Sequence, residues 1–295
     1  ALPDALPITN QMSFVEKLDA EALAYFNNLA SKPFSEQAVA FLNAYWHEVS
    51  SQAEFIFSVA WERMKKADMH AKGISLIHQY QEGADVDFDI GLYFYEQLCK
   101  FLEQPENAKW IAPEFAMSQP EMLTALKRKQ ELREKVDVNF DGRVSMLEYL
   151  LYQYQNVANP ADFVTRSMTG GEEHPEVRKA RLALEEVNKR IREFEAEKAK
   201  LEAEAQLEGV KGLRAKNMLA QLDSSPLREE LNKALITAEA AVRIATKKFG
   251  GARADVSDGT RKSMAADFSS GAVWWLNRDL EEKQKLYGKK KKDGN

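Results

Sequence analysis

The sequence predicts an all-α protein: an N-terminal helical domain carrying a pair of EF-hands, one of them degenerate, followed by a C-terminal antiparallel helical bundle. Three observations carry this. The 295 residues hold only 14 Gly and 9 Pro, so few positions break or kink a helix. Apolar residues recur every three to four positions through most of the chain, the period of a helix with one buried face. The stretch 137–148 has the side chains of a helix–loop–helix cation site.

Residues 1–15, with Pro3 and Pro7, are expected as an extended arm, and a helical domain is expected over 16–167. Its first helix should start at Asp19, whose side chain can take up amides left open at a helix N-terminus. From 34 to 66, Phe34, Ala38, Phe41, Leu42, Tyr45, Val49, Phe55, Ile56, Val59 and Met64 trace a core-facing stripe. A helix is expected from Ile90 to Leu102. Pro105 and Pro113 then mark a loop, and Pro120 suits the first position of a helix running to Val136 with Met122, Leu126 and Leu132 inward. Gly170 and Gly171 mark a domain boundary between Ser167 and His174.

A long-helix bundle is expected over 172–250. Val177, Leu184 and Ile191 repeat every seven residues, as do Ala180, Val187, Phe194 and Leu201, which makes a heptad seam over about 175–207. A short helix near 213–222 and a third from Ser225-Pro226 to Gly250-Gly251 follow. Short turns favour folding back within one chain; an intermolecular coiled coil is the rival. Residues 251–271, rich in Gly, Ser, Asp and Ala, are expected as a flexible linker. Residues 272–295 form an amphipathic, basic tail ending in Lys289–Lys292.

Charge divides the chain. Residues 1–170 hold 15 Lys and Arg against 24 Asp and Glu, and 171–295 hold 26 against 22. An acidic front half suits a cation site, and a mildly basic rear half suits an acidic partner. The single Cys99 excludes an internal disulfide and fits a cytoplasmic setting. No apolar run approaches the roughly 20 residues of a membrane span, and the first 15 residues have no secretory pattern.

The stretch 137–148 is a complete twelve-residue EF-hand loop. Ca²⁺ prefers six to eight oxygens at about 2.3–2.6 Å. Asp137, Asn139 and Asp141 offer side-chain oxygens from positions 1, 3 and 5, Arg143 its carbonyl from position 7, Ser145 a water-mediated contact from position 9, and Glu148 two oxygens from position 12. Gly142 permits the bend. Ca²⁺ is the cofactor this implies, in the sensor range of affinity. A mate is expected at 85–96, where Asp85, Asp87, Asp89 and Glu96 fall on the ligand positions. There, however, Ile90 stands in place of the bend glycine and Gly91 comes one residue late, so this loop is the degenerate member.

Other chemistry is absent from the pattern. His47-Glu48 lacks the second histidine of a zinc helix, and no phosphate loop, dinucleotide fingerprint or serine elbow occurs. Catalysis and nucleic-acid binding are not expected.

Long strings add a resemblance. MLTALKRKQELREKV at 122–136, EYLLYQY at 148–154, FLNAYW at 41–46, LALEEVNKRIR at 182–192 and WWLNRDLEE at 274–282 resemble the calcium-regulated 34-kDa actin-bundling protein family of amoeboid cells. The resemblance implies a cytoplasmic, cytoskeletal protein that binds filamentous actin and cross-links it into bundles, more weakly when calcium is bound. It also implies filament contacts largely in the C-terminal helical half. The cations expected there are Lys189, Arg190, Arg192, Lys211, Arg214, Lys216, Lys233, Arg243, Lys247 and Lys248. Two alternatives compete. Trp274, Trp275 and the lysine run suit a calcium-dependent module at a membrane surface, and an EF-hand sensor that grips target helices would expose a Met-rich groove.

Overall fold

The computed structural model describes residues 18–170, 173–249 and 269–288. The expected arm at 1–15, most of the expected linker at 251–271 and the lysine run at 289–292 lie outside the described residues.

Helix α1 (Ala20–Ala30) opens as expected on Asp19, whose carboxylate accepts the Ala22 amide at 2.8 Å. It is followed by α2 (Phe34–Val49) and a helical stretch 50–71, which loosens into a π-helical turn at Ile56–Trp61 and ends as α3 (Glu62–Ala71). The apolar stripe read over 34–64 is buried throughout. Strand β1 (Asp85–Asp87) leads into α4 (Phe88–Leu102). Beyond two 3₁₀ segments come α5 (Ala125–Glu131), a π-helical turn Leu132–Val136, strand β2 (Arg143–Ser145), α6 (Met146–Gln153) and α7 (Pro160–Thr169).

The entering helix of the intact hand differs from expectation. It begins at Ala125, capped by Thr124, and not at Pro120. Segment 119–124 is irregular, extended at Gln119 and Thr124, and Gln153 Nε2 holds its start by donating to the carbonyls of Met117 and Gln119, at 3.0 and 2.9 Å. With the helix starting late and closing in a π turn, Met122 and Leu126 face solvent, while Leu132 stays fully buried. Arg128 and Glu131 take the inward positions instead.

The C-terminal half is built of α8 (Pro175–Ala205), α9 (Val210–Gln221), α10 (Pro226–Phe249) and α11 (Ser270–Tyr287). At 1.5 Å per residue α8 is roughly 46 Å long. Its seam residues Val177, Ala180, Leu184, Val187 and Phe194 are buried against Leu231, Leu235, Ala238, Val242 and Ala245 of α10, and Leu201, nearer the end of α8, is buried as well. Helices α8 and α10 run antiparallel: Lys248 meets Glu176 and His174 meets Phe249 at one end, while Arg190 meets Glu230 further along. Gly209 makes the α8–α9 turn at φ +85°, a conformation open to glycine. The seam is thus closed by the same chain.

Helix α11 revises the expected tail. Val273, Leu276 and Leu280 complete the bundle core, and Trp275 enters the N-terminal core. Trp275 stacks edge-on against Phe57 and Trp61, with centroids at 4.8 and 5.0 Å, and Trp274 meets Trp46. The amphipathic pattern read from this segment is therefore spent inside the protein, on two cores at once. Arg278 fixes it from the side through both carboxylate oxygens of Glu54. The tryptophan pair that suggested a membrane surface is turned inward, and no described helix is long and apolar enough to cross a membrane.

Candidate functional site

Loop 137–148 lies between the π turn and α6. Asp137 is buried, and its two oxygens accept the amides of Asp141 at 3.2 Å and Gly142 at 3.0 Å. Asn139 Oδ1 accepts the Asp141 amide at 3.2 Å, and Asp141 Oδ1 accepts the Arg143 amide at 2.8 Å. Gly142 sits at φ +78° with nothing within 4 Å of a would-be Cβ, so backbone handedness alone calls for glycine here. Phe140 also takes positive φ, at 56°, and its ring is exposed. Ser145 and Glu148 cap α6 reciprocally: Ser145 Oγ accepts the Glu148 amide, and Glu148 Oε2 accepts the Ser145 amide and hydroxyl, both at 2.8 Å. Glu148 Oε1 accepts the Val138 amide at 3.1 Å.

Glu148 is 1% exposed, and burial pushes its carboxyl up to about 8. Burial raises Asp137 as well. A buried carboxylate met only by neutral donors is costly to ionise, and a divalent cation would remove that cost. All side-chain donors at the ligand positions are hard oxygens, as Ca²⁺ prefers. Among the described residues, no three acidic, imidazole or thiol groups already converge on one point. The Glu148 carboxylate is held by the Val138 and Ser145 amides and would have to release them to offer both oxygens to an ion.

The mate of this loop is present, in a shifted register. Strands β1 and β2 pair antiparallel, with Asp85 opposite Ser145, Val86 opposite Val144 and Asp87 opposite Arg143. Val144 is eighth in its loop, so its partner Val86 is eighth in a loop at 79–90, not 85–96. That loop has Gln79 at position 1 and Ile90 at position 12, and so lacks the acidic residues that bind an ion at its two ends. The acidic run was misleading because its residues serve a strand and a helix. Asp87 caps α4 through the Ile90 amide at 2.9 Å, and Asp89 pairs with Lys129. Gly91 belongs to α4, where Leu132 and Val144 approach its missing Cβ at 3.4 and 3.5 Å. The first hand is closed by protein groups. Buried Asp68 accepts from Lys72 Nζ at 2.7 Å, Tyr80 Oη at 2.9 Å and the Gly83 amide at 3.1 Å. The Arg143 guanidinium reaches across to Asp85 and ties the two hands together.

The cations of the rear half occupy one bundle but differ in freedom. Lys189 and Arg192 on α8, Lys211, Arg214 and Lys216 on α9, and Lys233, Arg243 and Lys247 on α10 are exposed. Arg190 is half-buried and committed to Glu186, Glu193 and Glu230. Lys248 is exposed but engaged with Glu176 at 2.9 Å. The charge pattern missed the apolar residues among them. Leu207, Val210 and Leu213 are 50%, 85% and 63% exposed, and Ile236 is 67% exposed. Their signal was legible in part, since Val210 and Leu213 share a helical face with Arg214 and Asn217.

Comparison with known proteins agrees with this architecture. The model of the family "F actin bundling C terminal" matches residues 143–292. A calcium-regulated actin-bundling protein of Dictyostelium discoideum is 66% identical over 280 residues, 95% of this chain and 93% of the relative. The crystal structure of the 34 kDa F-actin bundling protein from the same organism aligns with TM-score 0.85 and 65% identity, covering 94% of this chain and 100% of that one. With a helical architecture joined by a short strand pair, a paired-hand front half and a matched C-terminal segment, the chain belongs to the calcium-regulated F-actin bundling protein family.

Proposed function

We propose that this chain binds filamentous actin and cross-links it into bundles, with calcium at 137–148 weakening the bundling. The observation that carries this is the 66% identity to a calcium-regulated actin-bundling protein over 95% of the chain, too long a match to leave out either the calcium loop or the helical bundle. The role is structural and not catalytic, and its setting is the cytoplasmic cytoskeleton. Asp137, Asn139, Asp141 and Glu148 hold the ion by side chain, Arg143 by its carbonyl, and Ser145 through water. Bound calcium supplies a fixed divalent charge that draws these oxygens together.

The filament surface is the basic face of α8, α9 and α10. Lys189, Arg192, Lys211, Arg214, Lys216, Lys233, Arg243 and Lys247 meet acidic groups of actin, and Val210 and Leu213 supply desolvated contact between them. Arg190 and Lys248 hold the bundle together and leave the filament to their neighbours. Bundling needs two filament sites per particle, in one chain or in a dimer. Withdrawing Glu148 from the Val138 and Ser145 amides changes the angle between the π turn and α6, the usual response of a sensor hand. Helix α6 packs on α2, and α2 packs on α11, so the change has a contiguous route to the bundle. Filament binding must in turn weaken calcium binding.

The test is filament co-sedimentation with Glu148→Gln, with and without calcium. Low-speed pelleting of the parent should fall with calcium, and that of the variant should stay high. Equal calcium sensitivity in both would place the switch elsewhere.

A further inference from the structure

We propose that Asn27 on α1 is a positioning residue of the calcium loop, orienting the Asn139 amide and making α1 part of the ion site. The inference rests on the reading of 137–148 as a calcium loop. An asparagine at the third loop position poses a problem that aspartate would not. Its side chain has an acceptor end and a donor end, and only Oδ1 can face a cation. Something must take the donor end. Here Asn139 Nδ2 donates to Asn27 Oδ1 at 3.0 Å and to Asp141 Oδ2 at 3.0 Å. Asp141 is itself an ion ligand. When its carboxylate turns to the metal, Asn27 becomes the acceptor that keeps Nδ2 pointed out of the loop.

Asn27 is well placed to do this. It lies 112 residues away in sequence, on a helix anchored by fully buried Phe26 and by Ala30. Helix α1 also packs against α6 and α7. Asn27 itself is exposed, so replacing it leaves the core untouched. Outer partners of ligating groups fix ligand orientation and tune affinity. Ion uptake and the order of the last turn of α1 are therefore linked, and the linkage is reciprocal.

Calorimetric calcium titration of the full chain tests this with Asn27→Leu, Asn27→Asp and, as a neighbouring control, Asn28→Leu. Loss of one neutral hydrogen bond should weaken binding by roughly two- to tenfold in Asn27→Leu. Asn27→Asp keeps the acceptor and should bind like the parent in high salt, where the added charge is screened. Asn28→Leu should match the parent. Amide exchange supplies a second readout: calcium should slow exchange at the end of α1 in the parent and Asn27→Asp, and not in Asn27→Leu. Parent-like affinity and exchange in Asn27→Leu would overturn the assignment. Weakening shared equally by all three variants would also overturn it, because that reports damage to the helix. If the parent takes up no calcium, the calcium reading itself fails; if the parent binds and Asn27→Leu matches it, only the role of Asn27 fails.

Discussion

Gly271→Ala is a sharp test of how α11 joins the two cores, because two effects of opposite sign compete there. Replacing glycine by alanine in a helix is ordinarily favourable by about 0.5–1 kcal/mol. In this structure a Cβ at 271 would lie 2.7 Å from Asn43 N, Leu42 C and Leu42 Cβ. Optimal carbon contacts sit at roughly 3.5–4.0 Å, so α11 must withdraw from α2 by about 1 Å. Two of the three atoms are backbone and cannot swing aside. Overpacking of this kind costs about 1–3 kcal/mol. Withdrawal also stretches the bond from the Ala272 amide to Asn43 Oδ1, now 2.8 Å, which contributes about 0.5–1.5 kcal/mol. Complete detachment would expose Val273, Trp275, Leu276 and Leu280, at about 1.5–3 kcal/mol for each large side chain, so the helix should shift and stay docked. The net expectation is a loss of about 1–3 kcal/mol. Guanidinium titration followed by tryptophan fluorescence reads it directly, since Trp275 lies against Trp61; circular dichroism in parallel checks that both probes unfold together. A variant as stable as the parent, or more stable, would refute the close docking of α11 on α2.

Glu148 predicts a pH dependence. Its carboxyl is raised to about 8 by burial, so the folded, ion-free protein binds its proton more tightly than the unfolded chain does, and stability should fall as pH rises from about 4.3 toward 8. Calcium uptake must expel that proton. Affinity should therefore rise from pH 6 to 8, and titrations at pH 7 in buffers of different ionisation enthalpy should show proton release; buffer-independent heats would contradict this. Arg128 and Glu131 are both buried and meet at 2.5 Å, with Arg128 4.1 Å over the Tyr95 ring. Arg128→Ala should cost up to about 3 kcal/mol by leaving buried Glu131 with only Lys135 at 3.8 Å and the Tyr152 hydroxyl as partners, whereas Arg128→Met with Glu131→Leu should recover most of it; additive losses in denaturation would argue against the pairing. Gly91→Ala places its Cβ in ordinary contact with Leu132 and Val144 and should stabilise by up to about 1 kcal/mol. A lowered thermal midpoint would show that the two hands cannot spread by even a few tenths of an ångström.

Legibility varied with the range of the interaction. The seam of α8, the Asp19 cap and the glycine bend at Gly142 are local patterns, and the structure places them on the expected elements. The acidic run at 85–96 was misread because ligand spacing and helix-cap spacing share the same residues. Only the pairing of Val86 with Val144 sets the register at 79–90. Met122 and Leu126 sit four residues apart as on one helical face, but the helix starts only at Ala125 and turns Arg128 and Glu131 inward, leaving Met122 and Leu126 exposed.

By itself the amino-acid order determined helix content, the oxygen-rich turn at 137–148 and the sign of charge in each half, because periodicity, loop chemistry and composition act over a few residues. Only the tertiary structure decided that α11 spans two cores, that Arg190 also meets Glu230 on a neighbouring helix, and that Asn27 reaches Asn139. Those outcomes depend on which surfaces meet after the chain has folded back on itself, and that choice is made by close approach and mutual burial between residues a hundred or more positions apart or, for Arg190, between neighbouring helices.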